Sequence, residues 1–228
     1  TLGDRSLVRT RTTLTKDLAK NKNRIKSFLH FHGIEIPEQF KRTNGRWTHA
    51  FVAWLENLRL TNVSSNQAIE NIVLSSKNLR TVVLQTTKQI REKKKTETYK
   101  KNVALLQSVP GIGLITAMTL ITELESIERF KNFNQLSSFV GLVPSTHSSG
   151  ENEVIGEITP RGHNVLRTAL IESAWIAARH DPALTLSYHQ YCKRMEPNKA
   201  IIRIARKLLS RIRYVLKTEN PYVCSVVK

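Results

Sequence analysis

The sequence predicts a mainly α fold, a long helical hairpin or coiled coil followed by a compact helical domain containing a helix-hairpin-helix. Three observations carry this reading. Apolar residues recur at steps of three and four along most of the chain, glycine and proline are scarce before Val109, and strand-like alternation is hard to find.

The elements follow in order. From Arg5 to His30, Leu7, Leu14, Leu18, Ile25, Phe28 and Leu29 fall at helical spacing, and Gly33 followed by Pro37 ends that helix. Trp47, Phe51, Val52, Trp54, Leu55 and Leu58 predict a short second helix. In the third, Ile72, Ser76, Leu79, Val83, Thr86 and Ile90 alternate steps of four and three, the seam of a coiled coil or long helical hairpin. Its small and polar members make an imperfect zipper, equally suited to packing on the first helix and to pairing with another copy. Ser64, Ser65 and Asn66 are the capping candidates at its start. The run from Arg91 to Lys95 is a solvated charged end, and a boundary is expected near Tyr99. Residues 1–99 then form a helical coiled-coil or linker region and residues 100–228 a C-terminal domain.

That domain opens on a helix ending at Leu105 and Leu106, a tight turn through Pro110, Gly111, Ile112 and Gly113, and a helix restarting from Leu114 to Leu124. The glycines can adopt φ > 0 and leave backbone N–H groups uncovered by side chains. Donors at a helix N-terminus suit a phosphate oxygen. Ile112 is expected to plug the gap between the helices, and Ala117 to let them approach closely. The bland reading is an ordinary helical turn. Asn134 to Val140 reads as a short helix, Gly141 to Pro160 as a loop or small hairpin, and Arg161 to His180 as a helix with Leu166, Leu170, Ala174 and Ala177 on one side. Asp181-Pro182 caps the next helix, and Pro197 opens the last.

The last helix, from about Asn198 to Leu216, has two faces. Ile201, Ile202, Ala205, Leu208, Leu209, Ile212, Val215 and Leu216 fall on one, and Lys199, Arg203, Arg206, Lys207, Arg213 and Lys217 on the other. A charged outer face is ordinarily just solvated. This one is of a single sign, with no acidic residue between Pro197 and Thr218, and fits a phosphate-tracking surface. Composition agrees: 36 Lys and Arg against 18 Asp and Glu give a formal charge of +18. Such an excess favours a polyanionic partner, because each neutralised phosphate releases condensed counterions. Charge alone does not choose among DNA, RNA and an acidic membrane. No apolar run approaches the roughly 18 residues needed to cross a bilayer, and no signal-peptide pattern opens the chain, so no membrane partner is expected. Two distant cysteines, Cys192 and Cys224, fit a reduced, cytoplasmic setting. The chain opens on Thr1 rather than Met and enters helix almost at once, as a fragment with a missing upstream part would.

One segment invites chemistry: GLVPSTHSSGENEVIGEITPRGHNVLR, from Gly141 to Arg167. Ser148 and Ser149 stand in an expected exposed loop, and Arg161 and Arg167 open a helix that could hold a phosphate. A serine hydroxyl is a weak nucleophile unless a base or metal activates it. On residue types alone, a serine-rich loop is ordinarily only a loop. His189 and Cys192 have metal-like spacing, but one pair is too few for zinc. The scattered His30, His32, His163 and His180 are read as structural or surface residues.

Taken in order, PGIG, FVGLVPSTHSSG and ITPRGHNVLRTALIESA resemble the C-terminal domain of bacterial insertion-sequence transposases of the insertion sequence 110 and 1111 type. That family is related to Piv-type DNA invertases and is also called DEDD transposases or bridge-RNA-guided recombinases. The opening DRSLVRTRTTLTKDLAKNKNRIKSFLHFHGI resembles the helix that follows their catalytic domain, so the likeness covers nearly all of the chain. The resemblance implies a serine that attacks a DNA phosphodiester and becomes covalently linked to it. Ser149, before Gly150, matches that serine, and Ser148 is the alternative one position away. The family usually has Lys or Ser where this chain has Pro160, and often Lys where it has Glu151 and Glu153.

The resemblance also implies Mg²⁺, held by four acidic residues of an N-terminal RuvC-like domain and not by this chain. Glu123, Glu125, Glu128 and Asp181 lack the setting of a strand-borne metal site, so this polypeptide alone is expected to bind nucleic acid without catalysing strand transfer. Implied partners are DNA, a non-coding guide RNA and further copies of the chain. Nucleic-acid contacts are expected at Pro110, Gly111, Ile112, Gly113, Arg161, Arg167, Lys199, Arg203, Arg206 and Arg213. The rival readings are a non-catalytic helix-hairpin-helix DNA-binding protein of recombination or repair, and an RNA-binding accessory protein.

Overall fold

The structure, a computed structural model, describes residues 2–41, 47–149 and 152–224, with backbone alone over 145–149 and 152–157. The described residues form ten α-helices, a short 3₁₀ turn and one two-stranded antiparallel ribbon. They divide into two compact units: Arg9–Gln89, and Thr1–Val8 with Ile90–Lys228.

The Arg9–Gln89 unit holds most of α1 (Leu2–Phe31), α2 (Glu38–Lys41), α3 (His49–Glu56) and most of α4 (Val63–Lys93). Its core is Ile25, Leu29, Phe40, Phe51, Leu55, Ile69 and Val73. Phe51 is its hub, with Phe40, Trp47 and Trp54 rings at 5.4, 5.2 and 5.5 Å. The predicted seam of α4 turns inward, with Ser76 buried and Ile72, Leu79 and Val83 half-buried. It packs on α1: Asn21 Nδ2 donates to Ser76 Oγ at 2.9 Å and to the Ile72 carbonyl at 3.0 Å, and Arg11 Nε to Thr87 Oγ1 at 2.8 Å. Buried hydrogen-bonded polar pairs fix the register of such a seam at some cost in stability. The cap of α4 is not Ser64, Ser65 or Asn66. Asn62 Oδ1 accepts from the backbone N–H groups of Ser64 and Ser65, while Asn66 ties back to Leu60 through both ends of its amide.

The larger unit takes in both outer helix ends, so its limits differ from the boundary expected near Tyr99. Val8, Ile90 and Tyr99 all belong to its core. Tyr99 donates to Asp4 Oδ2 at 2.8 Å, and Arg5 Nε donates to the Thr122 carbonyl at 2.8 Å. Burial first, then the neighbouring carboxylate, push the Tyr99 hydroxyl up to about 12, while its hydrogen bond lowers Asp4. The body comprises α5 (Glu97–Gln107), α6 (Leu114–Leu124), α7 (Phe133–Val140), α8 (Asn164–His180), α9 (Pro182–Cys192) and α10 (Pro197–Thr218). Leu166, Leu170, Ala174 and Ala177 of α8 meet Ile201, Ile204, Ala205, Leu208, Leu209, Ile212 and Val215 in one core. The alanines keep the α8 face flat enough for close approach.

Between α7 and α8 the chain forms β1 (Pro144–Ser149) and β2 (Asn152–Ile158), the hairpin rather than the loop of the two sequence alternatives. Register pairs Thr146 with Ile155, His147 with Val154, Ser148 with Glu153 and Ser149 with Asn152, with one irregularity between Pro144 and Thr146.

Candidate nucleic-acid interface

The ribbon is fixed at its root. Helix α7 ends at Gly141, left-handed at φ 83°, and the N–H groups of Gly141 and Leu142 return to the Ser137 carbonyl. A methyl group on Gly141 would stand 2.5 Å from the Arg161 carbonyl oxygen, and one on Gly162 (φ 116°) 2.5 Å from the Gly141 Cα. Only two glycines allow this crossing of the strands' roots. Three further bonds close it: Thr159 N–H to the Val143 carbonyl at 3.0 Å, His163 N–H to the Phe139 carbonyl at 2.9 Å, and Arg167 Nη1 to the Thr159 carbonyl at 2.6 Å. Arg167 is half-buried and holds the ribbon's second leg, whereas Arg161 is exposed beside it.

His163, read from sequence as a structural or surface residue, is the N-cap of α8. Its Nδ1 accepts from the Leu166 N–H at 3.3 Å, and its Nε2 lies 3.0 Å from Glu123 Oε2. With Nδ1 used as acceptor, Nε2 carries the proton and donates to the buried carboxylate. Nothing in the spacing of Glu123 and His163, forty residues apart, announces this pair.

Ser148 and Ser149 stand at the far end of β1 in the backbone register given above, and their side chains lie outside the described residues. From the ribbon's root a groove of about 950 Å³ extends to the cationic face of α10. Pro144 and Ile158 mark its ribbon end and Lys199, Arg203, Arg206 and Lys207 its basic side. The cations are organised by aromatic rings. Arg206 lies 5.6 Å over Phe133 and donates to Asn134 Oδ1 at 3.3 Å, while Arg203 and Lys207 lie 5.7 and 5.4 Å from the Tyr191 ring. Ring quadrupoles hold cations in place without neutralising them.

Two other arginines of α10 do different work. Arg213 reaches the Lys131 carbonyl at 3.5 Å and has a buried Nε without a partner, so it packs against the body. Arg211 donates to Asp181 Oδ2 at 2.6 Å and to the Tyr222 hydroxyl, and Tyr222 in turn donates to Asp181. Burial and then the Asp181 hydrogen bond push the Tyr222 hydroxyl well above its ordinary range. Asp181 also caps α9, accepting from the Leu184 N–H at 3.0 Å.

The Pro110–Gly113 turn stands apart from the groove. Gly111 is left-handed at φ 85°, and its α-carbon faces α8, where a methyl group would come within 2.3 Å of the Ser173 carbonyl oxygen. Ser173 lies about 15 Å along α8 from His163, at the helical rise per residue. Ile112 is buried in the core, as expected of a plug. Gly113 does not use φ > 0: it is extended (φ −86°), caps α6 without a side-chain bond, and has open space at its missing Cβ. The four carboxylates weighed above do not fit a Mg²⁺ site. Glu123 is held by His163 and Arg5, Asp181 by Arg211, Glu125 by Arg5 and Arg129, and Glu128 by Lys217. His189 and Cys192 join no metal-ligand cluster among the described residues.

Comparison with known proteins matches the same region. Residues 103–190 match the Transposase IS116/IS110/IS902 family. The chain is 37% identical over 123 residues to the transposase for insertion sequence element IS1111A of Coxiella burnetii, covering 52% of this chain and 34% of that protein. It is 29% identical over 171 residues to putative transposase y4qE of Sinorhizobium fredii, covering 75% and 39%. With the pilin gene-inverting protein of Moraxella bovis it shares 32% identity over 126 residues, covering 52% and 38%. The chain thus spans between a third and two fifths of the length of these relatives. The matched residues 103–190 run from within α5 into α9 and include the ribbon and its glycine root, and over that span the chain is similar to transposases of the IS116/IS110/IS902 family.

Proposed function

We propose that this chain is the DNA-handling part of an insertion-sequence transposase and that Ser149, at the end of β1, is its nucleophile, with Ser148 the alternative. The observation that carries the reading is the continuity of the cationic groove with the root of the serine-bearing ribbon. Phosphates drawn to Arg203 and Arg206 lead the strand toward that root, where Arg161 adds an exposed positive charge. In the proposed step the serine oxygen bonds to phosphorus as its proton passes to a base, the phosphorus–oxygen bond to one deoxyribose breaks, and the departing oxygen takes up a proton to leave as a hydroxyl. The bond is conserved in energy, so a second strand's hydroxyl can reverse it and regenerate the serine.

A hydroxyl needs activation for this. Glu123, Glu125, Glu128 and Asp181 are engaged by cations, and activation is assigned to a Mg²⁺-bearing domain elsewhere in the whole protein. Further copies and a structured guide RNA are proposed partners. Exposed Leu74 and Leu84 on α4 offer apolar contact to another copy, and the +18 charge suits more than one nucleic acid.

The test is recombination by the whole transposase. Ser149→Ala should abolish strand exchange and the covalent protein–DNA species while leaving DNA affinity intact. If Ser149→Ala and Ser148→Ala both recombine normally, neither serine is the nucleophile and the chain is a non-catalytic binder.

A further inference from the structure

We propose that the groove beside α10 holds an unpaired stretch of DNA, with bases in the recess and phosphates on its cationic side. The inference rests on the reading of this chain as a DNA-handling unit and names the form of DNA it takes. The groove's lining is two-sided. Leu142, Val143, Ile158 and Ile202 give it an apolar wall, while Lys199, Arg203, Arg206 and Lys207 give it charge, and no carboxylate lines it among the described residues. The outside of a duplex presents phosphate and sugar and gains nothing from an apolar recess. An unpaired strand presents both parts together, base faces to bury and a phosphate at every step.

The aromatic pairs add a second argument. Arg203 over Tyr191 and Arg206 over Phe133 form two cation–ring pairs along the same wall. Guanidinium groups and rings are stacking surfaces for bases of any sequence. Two such pairs make a platform suited to successive unstacked bases, and the charge they carry falls where the connecting phosphates run. The groove ends at Pro144 and Ile158, so a strand leaving it passes the root of the ribbon. A strand being cut and exchanged must come out of its duplex somewhere, and this recess receives it.

The test compares a labelled oligothymidine of about twelve nucleotides with a duplex, both titrated against the 228-residue chain by fluorescence anisotropy. Tyr191→Leu keeps apolar bulk and removes the ring, and should weaken oligothymidine binding about tenfold more than duplex binding. Oligothymidine carrying 5-iodouracil should photo-crosslink to Tyr191 or Phe133 of the unaltered protein, a readout independent of how the variant folds. Crosslinks confined to other residues would overturn the proposal, as would preferential binding of oligouridine RNA. If duplex binds while oligothymidine does not, the groove assignment alone fails. If no DNA of either kind binds, the underlying DNA-handling reading fails with it.

Discussion

Gly111 and Gly113 sit two residues apart in one turn and carry opposite demands. Gly111 needs its missing side chain twice, for a left-handed backbone and for the Ser173 carbonyl that fills the space. Gly111→Ala should therefore destabilise the larger unit by about 2–4 kcal/mol, read as a lower urea midpoint. Gly113→Ala meets nothing within 4 Å at φ −86°, and should cost no more than about 1 kcal/mol, the penalty of alanine at an N-cap. A variant pair of equal stability would show that α8 yields to the added methyl. The sequence displays two like glycines, and only the arrival of α8, sixty residues later, separates them.

The Tyr99–Asp4 pair carries a pH signature of the same local kind. The Tyr99 hydroxyl is held protonated to about 12, against 10 for an unfolded tyrosine, so its contribution is complete below pH 10 and declines from there toward 12. Asp4 is lowered from 3.8, so its contribution is present above that value and lost as pH falls below it. Tyr99→Phe should be less stable than the unaltered protein at pH 7, with the difference shrinking above pH 10. A difference constant through pH 12 would place the Tyr99 hydroxyl in water.

At the scale of an element, α10 shows how far periodicity reads. Spacing alone separates the buried isoleucines and leucines from the cations, and the core agrees with that division. It does not separate one arginine from the next. Arg203 and Arg206 face the groove, Arg213 packs on Lys131, and Arg211, left out of the phosphate face in the sequence reading, anchors Asp181 and Tyr222. Partners for the last two come from residues 131, 181 and 222, which no helical wheel contains. The consequence is a divided outcome for charge removal. Arg203→Gln with Arg206→Gln should flatten the slope of log affinity against log salt by up to about one unit per lost phosphate contact. Arg213→Gln should leave that slope near its original value and lower the melting temperature instead. An equal slope change from all three would return Arg213 to the phosphate-binding face. The ribbon was half legible: serine and glycine content marked Gly141–Pro160 as a turn region, but the strands' β-branched residues are few, and the root depends on a Gly141–Gly162 crossing that is long-range.

Over the whole molecule, helical periodicity made the mainly α architecture legible, because helices report themselves locally. The division into units was less so. A boundary near Tyr99 follows from the charged run at Arg91–Lys95, yet Ile90 and Tyr99 are buried in the larger core, as is Val8 near the chain's start. Charge runs mark solvated turns, and a turn need not separate cores. The two cores are assembled from different residues, Phe51 and its aromatic neighbours in one and the α8–α10 contact in the other. Each unit can therefore respond to a defect of its own. Phe51→Ala removes the hub of three ring contacts and should cost the Arg9–Gln89 unit about 3–5 kcal/mol. Trp47 and Trp54 lie in that unit and Trp175 in the other, so fluorescence of single-tryptophan variants follows each separately. The midpoint reported by Trp54 should fall in Phe51→Ala while that reported by Trp175 holds. Coincident shifts of both would mean that α1 and α4, which run from one unit into the other, couple them into a single cooperative transition.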